Sequence, residues 1–344
     1  MKVTNTTINE VAAKAKVSKT TISRYLNGKY EYMSVETKER IEKVIEELDY
    51  RPSNIARSLK AKNSGVIGCV IADIGSPFSS IVVKGINDVC NEAGYRVLFA
   101  NTDNDSENEV KSIQSLMDNK VDGLIINTTG HNDQYLIDIQ KNGLNIVLVD
   151  RCLKDRNLLD TVASDNYNAT YNCIEFLHKQ GYKKIAFFTQ DTTANSSRYL
   201  RHDGYKDALY DFYKIDGNNY TYIVESSDED KCDKEVMKFF KACHGEAGAI
   251  FTVNGVTLLN VLNSMNRLNI KIADDIGICG FDDWGWASLI QPGITTITQE
   301  SYECGVQAAK MLIQRIKNCK GNPQYLELPT KLVIRGSTNP KKEI

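Results

Sequence analysis

Thr6 to Gly28 reads TTINEVAAKAKVSKTTISRYLNG, two short helices joined by a break. Thr7 followed three residues later by Glu10 is a capping-box pattern, so a helix begins at Ile8 with Val11, Ala12 and Ala15 at helical spacing. Lys16 and Val17 break that spacing. Ser18 then caps a second helix, Lys19 to Leu26, in which Ile22 and Leu26 lie four apart on one buried face. This leaves Lys19, Thr20, Thr21, Ser23 and Arg24 outward, with Asn27 at the helix end. Short hydroxyls at a helix start suit phosphates and base edges, and Arg24 can reach guanine O6 and N7 in a bidentate contact. The same residues would also serve as helix caps and a solvated basic face.

A third helix runs from Val35 to Leu48 after Ser34, with Ile41, Val44, Ile45 and Leu48 as its buried stripe and Thr37 on its outer face. Three helices then share one small core, a helix-turn-helix module over residues 1–50. The segment YRPSNIARSLKAK, Tyr50 to Lys62, follows. Pro52 is tolerated at a helix start, and the residues after it spell about two turns, marginal in water unless docked. Ser53, Asn54, Ala56, Leu59 and Lys60 are its candidate DNA contacts, with Leu59 placed to wedge into a minor-groove base step of a dimer-bound duplex. A plain linker with one stray Leu is the alternative.

Charge divides the same way. Residues 1–62 carry 13 Lys and Arg against 8 Asp and Glu, and the remaining 282 residues carry 29 against 36. A basic module on an acidic body concentrates counterion release where the helices are, so DNA binding should weaken steeply with salt.

Beyond Gly65 short β-branched runs alternate with amphipathic helical segments such as EVKSIQSLMDN and YNATYNCIEFLHKQG. The strand candidates are 66–72, 96–101, 123–127, 146–150, 184–189, 222–225, 249–253 and 276–281, with a last strand in LVIRGS. This is the pattern of an α/β fold with parallel sheets and right-handed crossovers, in two successive units that break near Val162 to Asp165.

INEVAAKAKVSKTTISRYLNG, RIEKVIEELDYRPSNIARSLKAK and GVIGCVIADIGSPF, followed in order by VDGLIIN, VLVDR, ASDN, RYLRHDGY, FTVN, ICGFDDW and TTITQ, resemble the lactose/galactose-repressor (LacI/GalR) family of bacterial transcription regulators. The FDDW context resembles its ketodeoxygluconate and uronate branch. The resemblance implies a helix-turn-helix domain (1–50), a hinge helix and linker (51–64) and a periplasmic-binding-protein-like body (65–344) for effector binding and dimerisation. It further implies an N-subdomain of about 65–163 and 293–323 and a C-subdomain of about 164–291 and 326–340. The chain would cross between them near 163, near 291–293 and near 323–328.

Ligands of open parallel sheets bind at the carboxyl ends of strands. Those loops hold Ser76, Pro77, Phe78, Asn101, Asp103, Thr128, Asp150 and Arg151 in the first unit. The second offers Arg198, Arg201, Asn254, Asp282, Asp283 and Trp284. By the resemblance, Phe78, Asp150, Arg201, Asn254 and Asp282 match family effector positions. Asp282 and Asn254 suit vicinal hydroxyls, Arg201 offers a planar fork, and Phe78 or Trp284 can stack on a sugar face. Each also has a plainer reading, as loop cap, surface ion pair or interface aromatic. Gly255 departs from the family, which often carries an acidic residue there. Arg151, Arg198 and Arg201 near one cleft favour a sugar acid, since uncompensated cations in a closed site are costly. If an Asp neutralises each one, a neutral sugar or a nucleoside-like effector stays open, as do inducing and corepressing roles.

The four histidines show no HExxH spacing, and GxSxG, GxxxxGK[ST] and GxGxxG after a strand are all missing, so an enzyme is not expected. Adjacent Asp282 and Asp283 should diverge rather than cooperate. Nine scattered cysteines without a CxxC pair read as buried thiols, with no metal or cofactor expected. No apolar run approaches about 20 residues and MKVTNTTINE lacks a signal-peptide core, so no membrane contact and a cytoplasmic location are expected. The expected partners are double-stranded operator DNA, a small sugar or sugar acid, and a second copy of the chain. A homodimer rather than a dimer of dimers is expected, because no leucine heptads follow the last strand.

Overall fold

The computed structural model describes residues 6–50, 63–225, 228–317 and 321–339. The chain divides into two compact units, Met1–Ser64 and Gly65–Ile344. The expected hinge helix lies outside the described residues, and with it Ser53, Asn54, Ala56, Leu59 and Lys60.

In the first unit helices form where the caps direct them: α1 (Ile8–Lys14), α2 (Lys19–Leu26) and α3 (Val35–Glu47). Both halves of the capping box are made, Glu10 N donating to Thr7 Oγ1 at 3.4 Å and Thr7 N to Glu10 Oε2 at 2.7 Å. Ser18 and Ser34 accept from the backbone N–H of Thr21 and Thr37. Lys16, in left-handed backbone with φ 53°, turns the chain out of α1. Val11, Ala15, Ile22 and Ile41 are wholly buried, and Tyr50 closes the same core. Tyr50 therefore belongs to the helical module rather than to the segment that follows it. A single 3-10 turn at Tyr30–Tyr32, which the hydrophobic spacing does not announce, links α2 to α3.

The second unit continues as β1 (Val66–Ile71), α4 (Pro77–Glu92), β2 (Arg96–Asn101), α5 (Ser106–Asp118), β3 (Gly123–Ile126), α6 (Asp133–Lys141), β4 (Asn145–Val149) and β5 (Asp160–Ser164). Then come α7 (Tyr167–Lys179), β6 (Lys184–Thr189), α8 (Ser196–Tyr213), β7 (Thr221–Ile223), α9 (Glu229–Cys243), β8 (Gly248–Thr252), α10 (Gly255–Arg267) and β9 (Ile276–Phe281). β10 (Thr295–Gln299), α11 (Ser301–Ile316), β11 (Tyr325–Leu328) and β12 (Thr330–Val333) complete it. The strands form two six-stranded sheets, ordered β11-β5-β4-β3-β1-β2 and β12-β10-β9-β8-β6-β7. All pairings are parallel except β10 with β12. Helices cover both faces, so the inner strands are buried on both sides and read as continuous apolar runs. β3, β8 and β9 are buried at every position.

Each sheet is the centre of a lobe, and the chain crosses between lobes three times. The first crossing follows β5 and the third falls between β11 and β12, at Pro329. The second differs from expectation: it follows Gln299, not residues 291–293. Thr295, Thr296 and Ile297 pair in register with Cys279, Gly280 and Phe281, because buried β9 needs a neighbour on that side. The turn at 291–293 is thus internal to the second lobe. β5 escaped the apolar-run reading because it opens on Asp160, a buried carboxylate gripped by both Nε and Nη2 of Arg315. β10 and β11 were likewise not anticipated as strands. α11 returns to the first lobe and lies on α4 at a close crossing. There a Cβ on Gly85 would collide with the Tyr302 carbonyl, and one on Gly305 with the Val82 carbonyl.

Candidate functional site

Between the two lobes, at the carboxyl ends of the strands, lies a cavity of about 130 Å³. Phe78, Asp150, Arg151, Arg198, Arg201, Asn254, Asp282 and Trp284 all line it. Eight residues drawn from five separate stretches of sequence thus converge on one space. Of the other loop residues named from the sequence, Ser76 lines it too, whereas Asn101, Asp103 and Thr128 do not. Asn101 Oδ1 instead accepts from the Ile74 backbone, and Thr128 supplies its carbonyl to Arg151. The sequence reading missed Asp73, Asn104, Asn127, Gln190, Asn195 and Gln299. Asn127 and Gln190 end or directly follow the strand runs GLIIN and KIAFFT, so the strand-end rule applied consistently would have found them, whereas Gln299 ends β10, which was not anticipated as a strand.

Asp150 and Asp282 occupy matching places, each just after a central strand and each in left-handed backbone, with φ 68° and 74°. Such backbone in a non-glycine residue is held against a cost of about 1–3 kcal/mol by its surroundings. For Asp150 those surroundings are Asn127 Nδ2, donating at 3.0 Å, and Ser197 Oγ, donating at 3.2 Å from the other lobe. Asp282 accepts from Gln299 Nε2 at 2.5 Å and from Gly255 N at 3.1 Å. Burial raises the Asp282 carboxyl above the usual carboxylate range, and the Arg201 guanidinium opposes that shift. Asp283 turns away to Arg335 and Thr296, so the adjacent pair does diverge.

Asn254 caps α10 through Oδ1, accepting from Thr257 N, and its Nδ2 donates to Gln190. At Gly255, the first residue of α10, an added Cβ would lie 2.6 Å from the Trp284 ring. The indole therefore fills the space a side chain at 255 would need.

The three arginines differ. Arg201 is bonded through all three of its nitrogens within its own lobe: Nε donates to Asn166 at 2.7 Å, Nη1 to the Val253 carbonyl at 2.7 Å and Nη2 to Gln299 at 3.2 Å. Its guanidinium lies 3.6 Å from the centroid of Phe281. Arg151 donates to the Thr128 carbonyl and to Asn104, while Nε, 3.7 Å from Asp150, makes no hydrogen bond. Arg198 gives Nη1 to the Asp191 carbonyl at 3.0 Å, and its buried Nε has no partner. Burial first, and then the neighbouring Arg151, push the Arg198 guanidinium down to about 10, which leaves it a cation at neutral pH.

The lobes touch beside this cavity. Cys152 N donates to Ser196 Oγ at 2.8 Å and Ser197 Oγ to the Asp150 carbonyl at 3.0 Å, joining the loop after β4 to the first turn of α8. The lining contains no histidine or cysteine. Among the described residues no cluster of His, Cys, Asp or Glu is arranged to hold a metal ion.

The second candidate surface is in the first unit. Lys19, Thr20, Arg24 and Asn27 are exposed, and Thr21, Ser23 and Thr37 are half-buried. Thr21 and Thr37 share hydrogen bonds with the caps Ser18 and Ser34, and Asn27 Nδ2 donates back to the Ser23 carbonyl at 2.7 Å. These three carry local structural bonds as well as facing outward. Arg24 rests over the Tyr32 ring, 4.9 Å from its centroid, so the 3-10 turn steadies the residue expected to read base edges.

Residues 7–53 match the family described as "Bacterial regulatory proteins, lacI family", and residues 64–336 match "Periplasmic binding proteins and sugar binding domain of LacI family". The HTH-type transcriptional regulator KdgR of Bacillus subtilis is 38% identical over 333 residues, 97% of this chain and 98% of that protein. PtxS of Pseudomonas aeruginosa is 32% identical over 336 residues, 97% and 96% of the two chains. Among solved structures, a lac repressor dimer bound to operator and an anti-inducer has a TM-score of 0.81 at 23% identity, covering 97% of this chain and 99% of that one. A complex of the regulator CelR with cellobiose has a TM-score of 0.71 at 22% identity, covering 96% and 99%. At these identities the structures share the fold.

Proposed function

Because this chain belongs to the LacI family of bacterial regulatory proteins, we propose that it is a repressor whose grip on double-stranded operator DNA is set by a small sugar or sugar acid in the cleft. One observation carries this reading: the eight candidate residues from both lobes line a single cavity. A molecule bound there touches both halves of the body at once. It therefore shifts their relative arrangement by as much as it prefers one arrangement over the other, typically about 1–3 kcal/mol per site. The volume, well below the roughly 300–1,000 Å³ of pockets for larger ligands, suits a monosaccharide.

On this reading two chains pair through their bodies, and the exposed face of α2, with Lys19, Thr20 and Arg24, enters successive major grooves with half-site centres about 34–36 Å apart. Residues 51–64 are the hinge through which the cleft acts on the DNA. The protein works in the cytoplasm and catalyses no reaction. No helix among the described residues is long and apolar enough to cross a membrane.

Selection from randomised duplexes tests this directly. The full chain should enrich a two-fold symmetric site, and adding the cleft ligand should change its occupancy. Arg24→Ala should lose specific affinity while keeping salt-sensitive non-specific binding, and Asp282→Ala should keep DNA binding but lose the response to ligand. Failure to enrich any site, or an undiminished response in Asp282→Ala, would refute the reading.

A further inference from the structure

The cleft holds three arginines and, in Asp73, Asp150 and Asp282, three carboxylates. The charges match in number but not in position. Asp150 is the carboxylate beside Arg151 and Asp282 the one acting on Arg201. Asp73 acts on Arg151 from the first lobe, with its Oδ1 taken by the Gly75 N–H. Arg198 has no carboxylate within ion-pair distance among the described residues. Only the more distant Glu225 and Asp191 favour its charge, while Arg151 and Arg201 oppose it.

Its donors are divided in the same sense. Nη1 is tied to the Asp191 carbonyl, and among the described residues the edge formed by Nε and Nη2 has no hydrogen-bond partner. That edge is the one with which a guanidinium takes a carboxylate in two parallel hydrogen bonds. Arg198 also stands in the first turn of α8, an 18-residue helix whose N-terminal dipole favours negative charge. Arg151 faces the same cavity from the other lobe, with its own Nε unbonded.

We infer that the effector is a monosaccharide-sized acid whose carboxylate is received by the free edge of Arg198 in the second lobe and by Arg151 in the first. This rests on the reading of the cleft as the effector site. It also assigns the acid group a part in regulation. Two cations from opposite lobes repel while the subsite is empty, and a carboxylate between them replaces repulsion with attraction to both, favouring the closed arrangement. Arg201, which the sequence offered as the fork for the ligand, also holds Asn166 and Gln299 in place.

Calorimetry on the full chain tests this, with gluconate, 2-ketogluconate and galacturonate against glucose and galactose, and glucose 6-phosphate as a third arm. At least one acid should bind about tenfold or more tightly than the neutral sugars. Arg198→Gln should remove that advantage, and Arg198→Lys should restore part of it by keeping the charge without the fork. Thermal melts without ligand should show that both variants fold. Equal affinity for acids and neutral sugars, preference for the phosphate ester, binding of none of the acids, or an acid affinity unchanged within twofold in Arg198→Gln would each overturn the assignment. Asp282→Asn separates the two levels of failure. If it weakens acid binding while Arg198→Gln does not, the cleft reading stands and the carboxylate subsite falls. If neither variant weakens binding, the cleft reading falls as well.

Discussion

Gly255 has no side chain because the Trp284 ring stands where a Cβ would go. The departure from the family pattern at 255 therefore has a partner 29 residues away that spacing alone could not disclose. Gly255→Ala should destabilise the body by about 1–3 kcal/mol through overpacking, and most of that loss should vanish when Trp284→Ala is added, as urea melts of the four proteins in the cycle would measure. Asp282 gives a pH prediction. Its folded carboxyl is raised above the ordinary range, chiefly by burial. The stability linked to this group is thus fully present below the ordinary carboxylate pKa, and it is lost as pH rises through the raised folded value. The stability of the parent relative to Asp282→Asn should accordingly fall as pH rises above the ordinary carboxylate range, and denaturation curves showing a constant difference would contradict it. At this scale the sequence supplied residue types and their loop positions. It could not supply what already occupies each polar atom, and that is what separates the committed Arg201 from the open Arg198.

The helices of the first unit begin and end at signals a few residues long, which is why they were legible. Ser18 is the clearest case: its side chain receives the Thr21 N–H at 3.1 Å and its hydroxyl pairs with that of Thr21. Ser18→Ala should lower the stability of the helical unit by about 1 kcal/mol and weaken operator binding, read by thermal melts and by titration of the selected duplex. The effect should be conspicuous because so small a unit has little core to spare. Strands were legible where they were apolar throughout, as in KIAFFT and IGICGF, and illegible where a buried polar group stood in for an apolar one. β5 needs Arg315 from α11 to make Asp160 tolerable, and β10 needs β9 to satisfy its backbone. Both supports come from elements distant in sequence, so local pattern carries no trace of them.

In the whole molecule, the three crossings make each lobe from separated stretches of chain, so a ligand between the lobes braces segments that would otherwise separate on unfolding. A cleft ligand at 100 times its dissociation constant should raise stability by about 2.7 kcal/mol, measurable as a concentration-dependent rise in melting temperature, and a transition indifferent to ligand concentration would contradict this. The alternation of elements and the order of motifs determined by themselves that the chain is a helical DNA-binding module on a parallel α/β body, because caps and hydrophobic periods act over a few residues. They also pointed to the strand ends as the place where residues would meet, since parallel strands joined by right-handed crossovers all deliver their carboxyl ends to one edge, though not to which of those residues face the cavity. Only the tertiary structure decided that the second crossing follows Gln299, that Tyr50 closes the helical core, and that Trp284 answers Gly255. It alone left Arg198 without a counter-ion among the described residues. Each of these depends on which buried group finds which partner across long stretches of chain, and that pairing is fixed by packing and by the cost of an unmet polar group, not by neighbours in the sequence.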